Sequence, residues 1–347
     1  MNEASLGPVQ QVAGMKETLG HCIHASLAAG TWQKYNTGWR AYNAFEAHTR
    51  TRFDWPLCKE AIRGFVVFCL QERKLKPSSV KTYLSSLVCL HKLKGFTDFE
   101  IKDSLVDSIL RGAGNILLTS ANPPSNRRRV ATLPTVRHLG HQLSKSGWSE
   151  SSKQSIWSAA LTAFFVSARM GELLSPSESS IDPTSTLTWA CVKYIEKENR
   201  FILHVRLPKT GSKEGEFLDI LPFPDKWICP VSALKRQHRI QCSIGLGRPQ
   251  DPVFAFSTGR LLTPAGFNSA LKVLLADICD YRRDSITGHS FRAGIPSAVA
   301  RCPDLMSSDD VKNWGRWSSN TYERYQRLKS DEKMAIFAKI IAALYKF

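Results

Sequence analysis

Between residue 26 and about residue 115, apolar residues recur three or four positions apart, which is the spacing of an amphipathic helix. The clearest stretch is TWQKYNTGWRAYNAFEAHT, in which Thr31 is a plausible N-cap. Its apolar stripe is aromatic: Trp32, Tyr35, Trp39, Tyr42 and Phe45. Further helices are predicted over 59–73, from Pro77 onward and over 101–112. This part of the chain is therefore expected to form a small all-helical bundle.

The second half of the chain mixes two kinds of pattern. Helices are predicted over 136–143 and 152–174, and three short runs rich in β-branched and aromatic residues follow, at 186–194, 200–207 and 216–221. Runs of this kind, separated by turns, predict a three-stranded antiparallel sheet. Helical spacing then returns over 231–242, 263–280, 289–301, 308–315 and 319–327 and in the C-terminal segment. The expected fold class is mainly α with a small antiparallel β-sheet, an α+β architecture in two domains.

One segment without periodicity separates the two halves. Residues 118–134, LTSANPPSNRRRVATLP, combine prolines and small polar residues with Arg127, Arg128 and Arg129, a composition typical of a linker. The domains predicted from these patterns are an N-terminal extension over 1–25, a helical domain over 26–117, a basic linker over 118–134, a second domain over 135–328 and a C-terminal helix over 329–347.

The net charge indicates the kind of partner. The 347 residues carry 47 Lys and Arg against 30 Asp and Glu, a formal charge of +17 that is spread as +5 over 1–124, +3 over 125–133 and +9 over 134–347. Such an excess of positive charge usually indicates a polyanionic binding partner. We expect a basic surface on both domains that binds a nucleic-acid duplex, and the linker arginines either lie on its phosphates or form only a solvated charge run. Contact with chromatin or with an acidic membrane is the alternative that charge alone leaves open.

Composition excludes several other classes of protein. With 43% hydrophobic and 22% charged residues the chain is not a disordered tail, and no apolar stretch approaches the length of a membrane span. The first residues lack the layout of a secretory signal, and the nine cysteines form no CxxC pair. We therefore expect a folded protein with free thiols, no structural zinc and no metal site.

Two basic residues stand out in the first part of the second domain. Arg169 lies among apolar residues in AALTAFFVSARMGELL, so its charge needs an anion, and Glu172 three residues later can orient it. A purely structural ion pair is the alternative. Lys209 lies in LPKTGSKEG, the turn between the second and third predicted strands, where it is either an ordinary exposed lysine or a mobile proton donor. Lys213 is its rival in the same turn.

Later in the chain, TGHSFRAG places His289 and Arg292 three apart at a predicted helix start. Helix N-termini attract phosphate, and an arginine fork binds two phosphate oxygens. Further on, NWGRWSSNTYERYQR contains Trp317, Tyr322 and Tyr325, which are core residues or parts of a site. Each of these signals is weak alone, but their order on one basic chain is much more specific.

That order, an arginine, a lysine, His-x-x-Arg, a tryptophan and a tyrosine, resembles the tyrosine recombinase (phage integrase-like) family. The resemblance covers roughly residues 26–340, and the helical first domain looks like the core-binding domain of that family. The motifs HSFRAG and GRWSSNTYERY are similar to the corresponding motifs of eukaryotic mobile-element recombinases of the Crypton and DIRS-like groups. One departure concerns the tyrosine: Tyr325 lies eight residues after Trp317, one fewer than in many members, and Tyr322 lies five after it. The resemblance favours Tyr325 over Tyr322 and Lys209 over Lys213.

The resemblance implies a metal-independent DNA strand transferase that needs no cofactor. Its catalytic residues would be Arg169, Lys209, His289, Arg292, Trp317 and Tyr325, with Glu172 as the acidic companion of the first arginine. The two arginines would stabilise negative charge at the scissile phosphate, assisted by the indole N–H of the tryptophan and by the histidine. The tyrosine would attack the phosphate to give a 3′-phosphotyrosyl link, and the lysine would protonate the 5′ oxygen.

The resemblance also implies a biological setting. It predicts a site-specific recombinase that acts on double-stranded DNA, as a dimer on one site and a tetramer in synapsis, and mobilises a eukaryotic transposable element in the nucleus. A domesticated DNA-binding protein without catalysis and a type IB topoisomerase-like enzyme are the alternatives. The apolar C-terminal helix over 329–347 packs either on its own domain or, as the resemblance favours, on a neighbouring protomer.

Overall fold

The chain consists of two compact units, Met1–Pro124 and Ser125–Phe347. The division falls within the segment 118–134 that the sequence predicts to be a linker. The computed structural model describes residues 15–27, 29–96, 101, 103–119, 127–182, 184–206, 215–279, 284–299, 307, 309–310, 314 and 330–345.

The first unit is all-helical in its described residues. Its helices are α1 (Met15–Ala25), α2 (Ala29–Thr49), α3 (Lys59–Gln71), α4 (Pro77–Leu93) and α5 (Ser104–Thr119). The N-cap prediction for Thr31 is wrong, because α2 begins two residues earlier and Thr31 lies inside its first turn. The helix predicted over 101–112 begins and ends later than expected, and its last turn extends into the predicted linker.

The aromatic stripe of α2 forms much of the core of this unit. Tyr42 and Phe45 are buried, and the Tyr42 ring meets the ring of Phe65 edge-on at 5.4 Å. Burial raises the pKa of the Tyr42 phenol. The Trp39 indole N–H donates to the Ser86 carbonyl on α4 at 2.7 Å, so the stripe also provides the polar contact between α2 and α4.

The second unit contains helices around a small sheet. Its elements in chain order are β1 (Arg127–Arg128), α6 (Leu133–Lys145), α7 (Glu150–Phe165), α8 (Met170–Leu173), β2 (Val192–Ile195), β3 (Arg200–Val205), β4 (Glu216–Ile220), α9 (Pro230–Ser243), α10 (Pro264–Leu274), β5 (Asp284–Ser285), α11 (Gly288–Arg292), α12 (Gly294–Val299) and α13 (Ser330–Tyr345). The helix predicted over 263–280 ends early, at Leu274. Of the helices predicted over 308–315 and 319–327, the first lies mostly and the second wholly outside the described residues.

Helix α7 lies at the centre of the second unit, with twelve of its sixteen residues buried. Ser149 caps its first turn by accepting the N–H of Ser152 at 3.3 Å. Several of its buried polar side chains are paired across helices, as where Gln154 and Ser158 both donate to the Ala233 carbonyl on α9. The buried hydroxyl of Thr162 makes no hydrogen bond among the described residues. The bonds between helices remove most of the cost of burying polar groups, so α7 can pass through the core.

The predicted three-stranded antiparallel sheet is confirmed, with strand order β2-β3-β4. Leu203 on β3 lies opposite Val192 on one side and Leu218 on the other. Alternate residues of β3 (Phe201, Leu203 and Val205) are buried in the core. The first part of the predicted run 186–194 differs, because Trp189–Cys191 forms a 3₁₀-helix before β2 begins.

The C-terminal helix α13 packs its apolar side on its own unit. Its buried residues are Ile336, Phe337, Ile340, Ala343 and Leu344. The Phe337 ring stacks on Trp314 at 5.8 Å and contacts Phe165, the last residue of α7. Docking of this helix on a neighbouring protomer stays a prediction.

The eight cysteines whose positions are described are all free thiols. Within the described ranges, no group of three or more His, Cys, Asp or Glu side chains could hold a metal ion. A search of those same residues found no helix whose length and apolar character would let it cross a membrane.

Candidate active site

The chain leaves the central helix at a short buried connection between α7 and α8. The single helix predicted over 152–174 is wrong, because Ser167 adopts a left-handed conformation (φ +50°) that no α-helix can continue. Val166 closes α7, and Arg169, in extended conformation, precedes α8. The break places two functional candidates, Arg169 and Glu172, at the start of a four-residue helix.

Glu172 holds Arg169 by both its main chain and its side chain. The backbone N–H of Arg169 donates to Glu172 Oε2 at 2.8 Å, and its Nη1 donates to Oε1 at 2.8 Å. The glutamate side chain is only 3% exposed, whereas the arginine side chain is 27% exposed. The buried carboxylate therefore fixes the orientation of the arginine side chain, while part of the guanidinium remains accessible to solvent.

His289 and Arg292 lie on α11, but in different environments. His289 is exposed, whereas Arg292 is 2% exposed. The helix predicted over 289–301 is broken after Arg292, since Pro296 has no N–H and lies in the first turn of α12. The two residues therefore belong to one five-residue turn of helix, with the histidine at the surface and the arginine beneath it.

Arg292 reaches back to the connection that precedes Arg169. Its Nη1 donates a hydrogen bond to the main-chain carbonyl of Ser167. Because Ser167 is two residues before Arg169, this bond joins the two candidate arginines to one short stretch of backbone. A buried guanidinium needs such an acceptor.

A close packing contact brings the same two segments together. A Cβ atom on Gly288 would lie 2.2 Å from Cγ of Met170, so glycine is required for this approach. On the other side of α11, the carbonyl of Ser290 accepts the N–H of Ala131 at 3.0 Å. Helix α11 is thus held between the start of α8 and the segment that leads into α6.

Two N–H groups at the start of α11 already have protein acceptors. The helix has only five residues, and the Gly288 N–H donates to Asn268 Oδ1 at 2.9 Å. The Thr287 N–H is taken by Ser290 Oγ at 3.0 Å. These two N–H groups are therefore taken by protein acceptors, and phosphate binding at this helix start stays a prediction.

The three linker arginines are partly built into the second unit. Arg127 and Arg128 form β1, which pairs in parallel with β5. Arg129 is exposed, and its Nη1 donates to the Ile278 carbonyl at 2.7 Å. The segment is therefore anchored by the backbone pairing of β1 with β5 and by the guanidinium of Arg129.

Two contributors to this site were missed by the sequence analysis. One is Ser167, whose role comes from its main-chain carbonyl, a group that every residue has. The other is Trp314, whose indole N–H donates to the Phe165 carbonyl at 3.2 Å, at the same end of α7. The only sequence signal for Trp314 is that a buried indole N–H needs an acceptor.

The other predicted site residues lie outside the described residues: Lys209, Lys213, Trp317, Tyr322 and Tyr325. The two lysines belong to the connection between β3, which ends at Val205, and β4, which begins at Glu216. The described part of the site can hold an anion against fixed cations. It is made of Arg169 with its glutamate, the exposed His289 and the anchored Arg292.

No protein-family model and no curated protein sequence matches this chain. Among solved structures, it is similar to XerH site-specific recombinase bound to difH substrate in a pre-cleavage complex, with a TM-score of 0.53 and 13% identity over 87% of this chain and 77% of that chain. It is also similar to the Tn1549 transposon integrase in complex with transposon right end DNA, with a TM-score of 0.51 and 13% identity over 90% of this chain and 94% of that chain.

At these identities the likeness concerns the fold. The described helices and the β2-β3-β4 sheet match the architecture of those enzymes over most of both chains. The chain has the fold of tyrosine recombinase catalytic domains, mostly helical with a small three-stranded antiparallel sheet.

Proposed function

We propose that this protein is a site-specific DNA recombinase that cleaves and rejoins strands through a 3′-phosphotyrosyl intermediate. One observation carries the proposal: in a recombinase fold, Arg169 is fixed by Glu172 and Arg292 by the Ser167 carbonyl, at one connection of the chain. Two arginines held by protein groups at one place are what stabilisation of a phosphoryl transition state requires.

The reaction follows from charge placement. A phosphodiester resists attack because its nonbridging oxygens are negative and the transition state gathers more charge, so fixed cations lower the barrier. We assign that role to Arg169 and Arg292, with the indole N–H of Trp317 as a further donor. Loss of one such donor costs on the order of 10²- to 10³-fold in rate.

The covalent step is assigned to Tyr325. Its phenol oxygen attacks phosphorus, His289 accepts the phenolic proton, the bond from phosphorus to the 5′ oxygen breaks, and Lys209 gives its proton to that oxygen. One phosphoester replaces another, so a 5′-hydroxyl from a second duplex can reverse the step. Tyr322 and Lys213 are the rivals for these two roles.

The wider setting is also a proposal. XerH and the Tn1549 integrase are described as complexes with DNA, which supports double-stranded DNA as the partner of this chain. Action as a dimer on one site and a tetramer in synapsis, mobilisation of a eukaryotic transposable element of the Crypton or DIRS-like type, and residence in the nucleus rest on the sequence resemblance.

Incubation with nicked suicide duplexes that carry candidate element ends tests the proposal. Wild type should form a protein–DNA adduct that survives denaturant, and Arg292→Ala should bind the same duplexes but form at least 10²-fold less adduct. Arg236→Ala is the matched control, because Arg236 is an exposed arginine on α9 whose guanidinium pairs with Glu150 at 3.4 Å. It should react like wild type.

The outcomes separate the alternatives. Binding without any adduct favours a domesticated DNA-binding protein and ends the recombinase proposal. Relaxation of supercoiled plasmid without a defined site or a second duplex favours a type IB topoisomerase-like enzyme. An adduct that requires a defined end and is transferred to a second duplex supports recombination.

A further inference from the structure

The connection between α7 and α8 contains an unusual serine. Ser167 is fully buried, has a left-handed backbone (φ +50°) and carries a hydroxyl that meets no hydrogen-bond partner among the described residues. A left-handed conformation destabilises the folded state for serine but not for glycine. The serine hydroxyl makes no hydrogen bond among the described residues that would offset this destabilisation. The feature that is used is its main-chain carbonyl.

That carbonyl accepts a hydrogen bond from Nη1 of Arg292, which lies 125 residues later in the chain. The preceding helix would direct a carbonyl along its own axis, toward a residue four positions ahead. The left-handed conformation of Ser167 ends the helix. The Ser167 carbonyl therefore no longer points along the helix axis and can point to the guanidinium. Since a guanidinium is planar, an acceptor on one of its nitrogens also restricts the plane of the other N–H groups.

Resting on the proposed function, we infer that Ser167 is a positioning residue for Arg292: its backbone conformation, not its hydroxyl, sets the orientation in which the arginine meets the scissile phosphate. Ser167 does not touch substrate in this assignment. It positions the arginine, and the arginine in turn stabilises the negative charge of the phosphate.

Three substitutions at this position separate backbone from side chain. Ser167→Ala removes only the hydroxyl, and Ser167→Gly also permits the left-handed conformation, so both should cleave within about threefold of wild type. Ser167→Val introduces a β-branched residue, which strongly disfavours positive φ. It should turn the carbonyl away and lower the cleavage rate by about 10²-fold, the loss of one charge-stabilising donor.

Ser158→Val is the matched control. Ser158 is also a fully buried serine of the same segment, but it lies within α7, where valine meets no backbone restriction of this kind. Thermal melting of both variants shows how far each destabilises the fold. Ser158→Val should melt at a lower temperature than wild type, but it should show no cleavage defect that depends on the charge of the scissile phosphate.

The decisive readout compares two substrates on the duplex that wild type cleaves. One has an ordinary scissile phosphodiester, and the other has a methylphosphonate, in which a methyl group replaces one nonbridging oxygen and removes the negative charge. The defect of Ser167→Val should shrink at least tenfold on the methylphosphonate, because less charge then needs Arg292. Equal defects on both substrates, or a Ser167→Ala variant as impaired as Ser167→Val, would overturn the inference.

A second readout needs no DNA. In protein labelled with ¹⁵N-arginine, the Arg292 guanidinium should show slow rotation in wild type and in Ser158→Val, and faster rotation in Ser167→Val. Equal rotation in all three overturns the positioning role, whatever the chemistry. If wild type forms no adduct but the rotation differs as expected, the proposed function fails while the contact between Ser167 and Arg292 stands.

Discussion

At the scale of single residues, the glutamate beneath Arg169 decides how that arginine can act. Glu172 takes both a backbone N–H and a guanidinium N–H of Arg169, so one carboxylate sets the start of α8 and the direction of the side chain. Its own side chain is almost fully buried, and a buried carboxylate is retained only with such partners. The pair is therefore more than a surface ion pair.

Glu172→Gln should impair catalysis more than folding. Glutamine keeps the shape and one acceptor but removes the charge that orients the guanidinium, so we expect adduct formation to fall about 10- to 100-fold, in line with one weakened charge-stabilising donor. Because Arg169 is partly exposed and can be solvated, the stability lost should be about 1–2 kcal/mol, below the cost of breaking a fully buried pair. Adduct yield and thermal melting measure the two effects.

Glu178→Gln is the control for that experiment, since Glu178 pairs with Arg260 at the surface. It should change neither adduct yield nor melting temperature appreciably. Equal adduct yields for Glu172→Gln and wild type would contradict the orienting role.

The contribution of the sequence differs among these residues. The pair of Arg169 and Glu172 could be predicted, because an i,i+3 spacing beside apolar residues already brings opposite charges together. Ser167 and Trp314 could not, since both work through main-chain carbonyls whose direction depends on the tertiary fold. The chemistry of side chains is visible in a sequence, and the direction of a backbone carbonyl is not.

At the scale of elements, the site depends on where helices stop. Helical apolar spacing continues from α7 through Leu174 without a proline, so the sequence predicts one helix, whereas the structure breaks it at Ser167, whose carbonyl accepts from Arg292 on α11. The three strands were predictable because β-branched residues alternate between turns. The break before α12 is not visible in the apolar periodicity, but Pro296 indicates it, because proline lacks a backbone N–H.

Gly288→Ala should separate the two halves of the site. Its new Cβ would overlap Cγ of Met170, and overpacking of this kind costs about 1–3 kcal/mol. We expect a lower melting temperature and a larger fractional loss of adduct formation, because α8 and α11 move apart.

Gly171→Ala provides the comparison, since a Cβ there meets nothing within 4 Å. Adding Met170→Ala to Gly288→Ala should restore part of the lost stability. If Gly288→Ala melts and reacts like wild type, the close approach of α8 and α11 is not what holds the site.

In the first unit, a buried histidine joins α4 to the loop before α3. His91 on α4 is buried, accepts the Leu57 N–H at Nε2 (3.1 Å) and hydrogen-bonds the Leu87 carbonyl through Nδ1 (2.7 Å). Burial lowers the pKa of His91, and the charge of Lys94 lowers it further. The unfolded chain therefore binds a proton more readily than the folded chain, and stability rises with pH over this range.

We expect the first unit to lose stability as the pH falls below about 6.5, the ordinary pKa of histidine, and to retain it at pH 7 and above. Hydrogen–deuterium exchange of α3 and α4 in the full chain at pH 7.5 and pH 5.5 measures this. His91→Asn, which can still donate to the Leu87 carbonyl, should lower protection at both pH values but flatten the difference. A difference of unchanged size in His91→Asn would assign the pH dependence to another group.

At the scale of the whole molecule, the proposed function assigns the charge of +17 two uses. A few cations, such as Arg169 and Arg292, are held by protein groups at one site, whereas most of the 47 basic residues are distributed over both units. Under the proposed function, the first group bears on the rate of cleavage and the second on the affinity for DNA. Substitutions in the two groups should therefore have different signatures.

Salt dependence measures the second use. If both units contact phosphates, the logarithm of the DNA association constant should fall linearly with the logarithm of salt concentration, at about −0.9 for each phosphate neutralised. Arg292→Ala should leave this slope within about one unit of wild type. A nearly salt-independent affinity would contradict the basic binding surface.

The central claim is that a tyrosine of this chain becomes covalently joined to DNA. The most direct measurement is mass spectrometry of the adduct formed on a suicide duplex, after digestion of the protein and of the DNA. We predict a single modified peptide in which Tyr325 carries the 3′-phosphate of the cleaved strand, and loss of that peptide in Tyr325→Phe. A modified peptide that carries the link on Tyr322 would contradict the choice of nucleophile, and wild type that binds the duplex without any covalent link would contradict the claim itself.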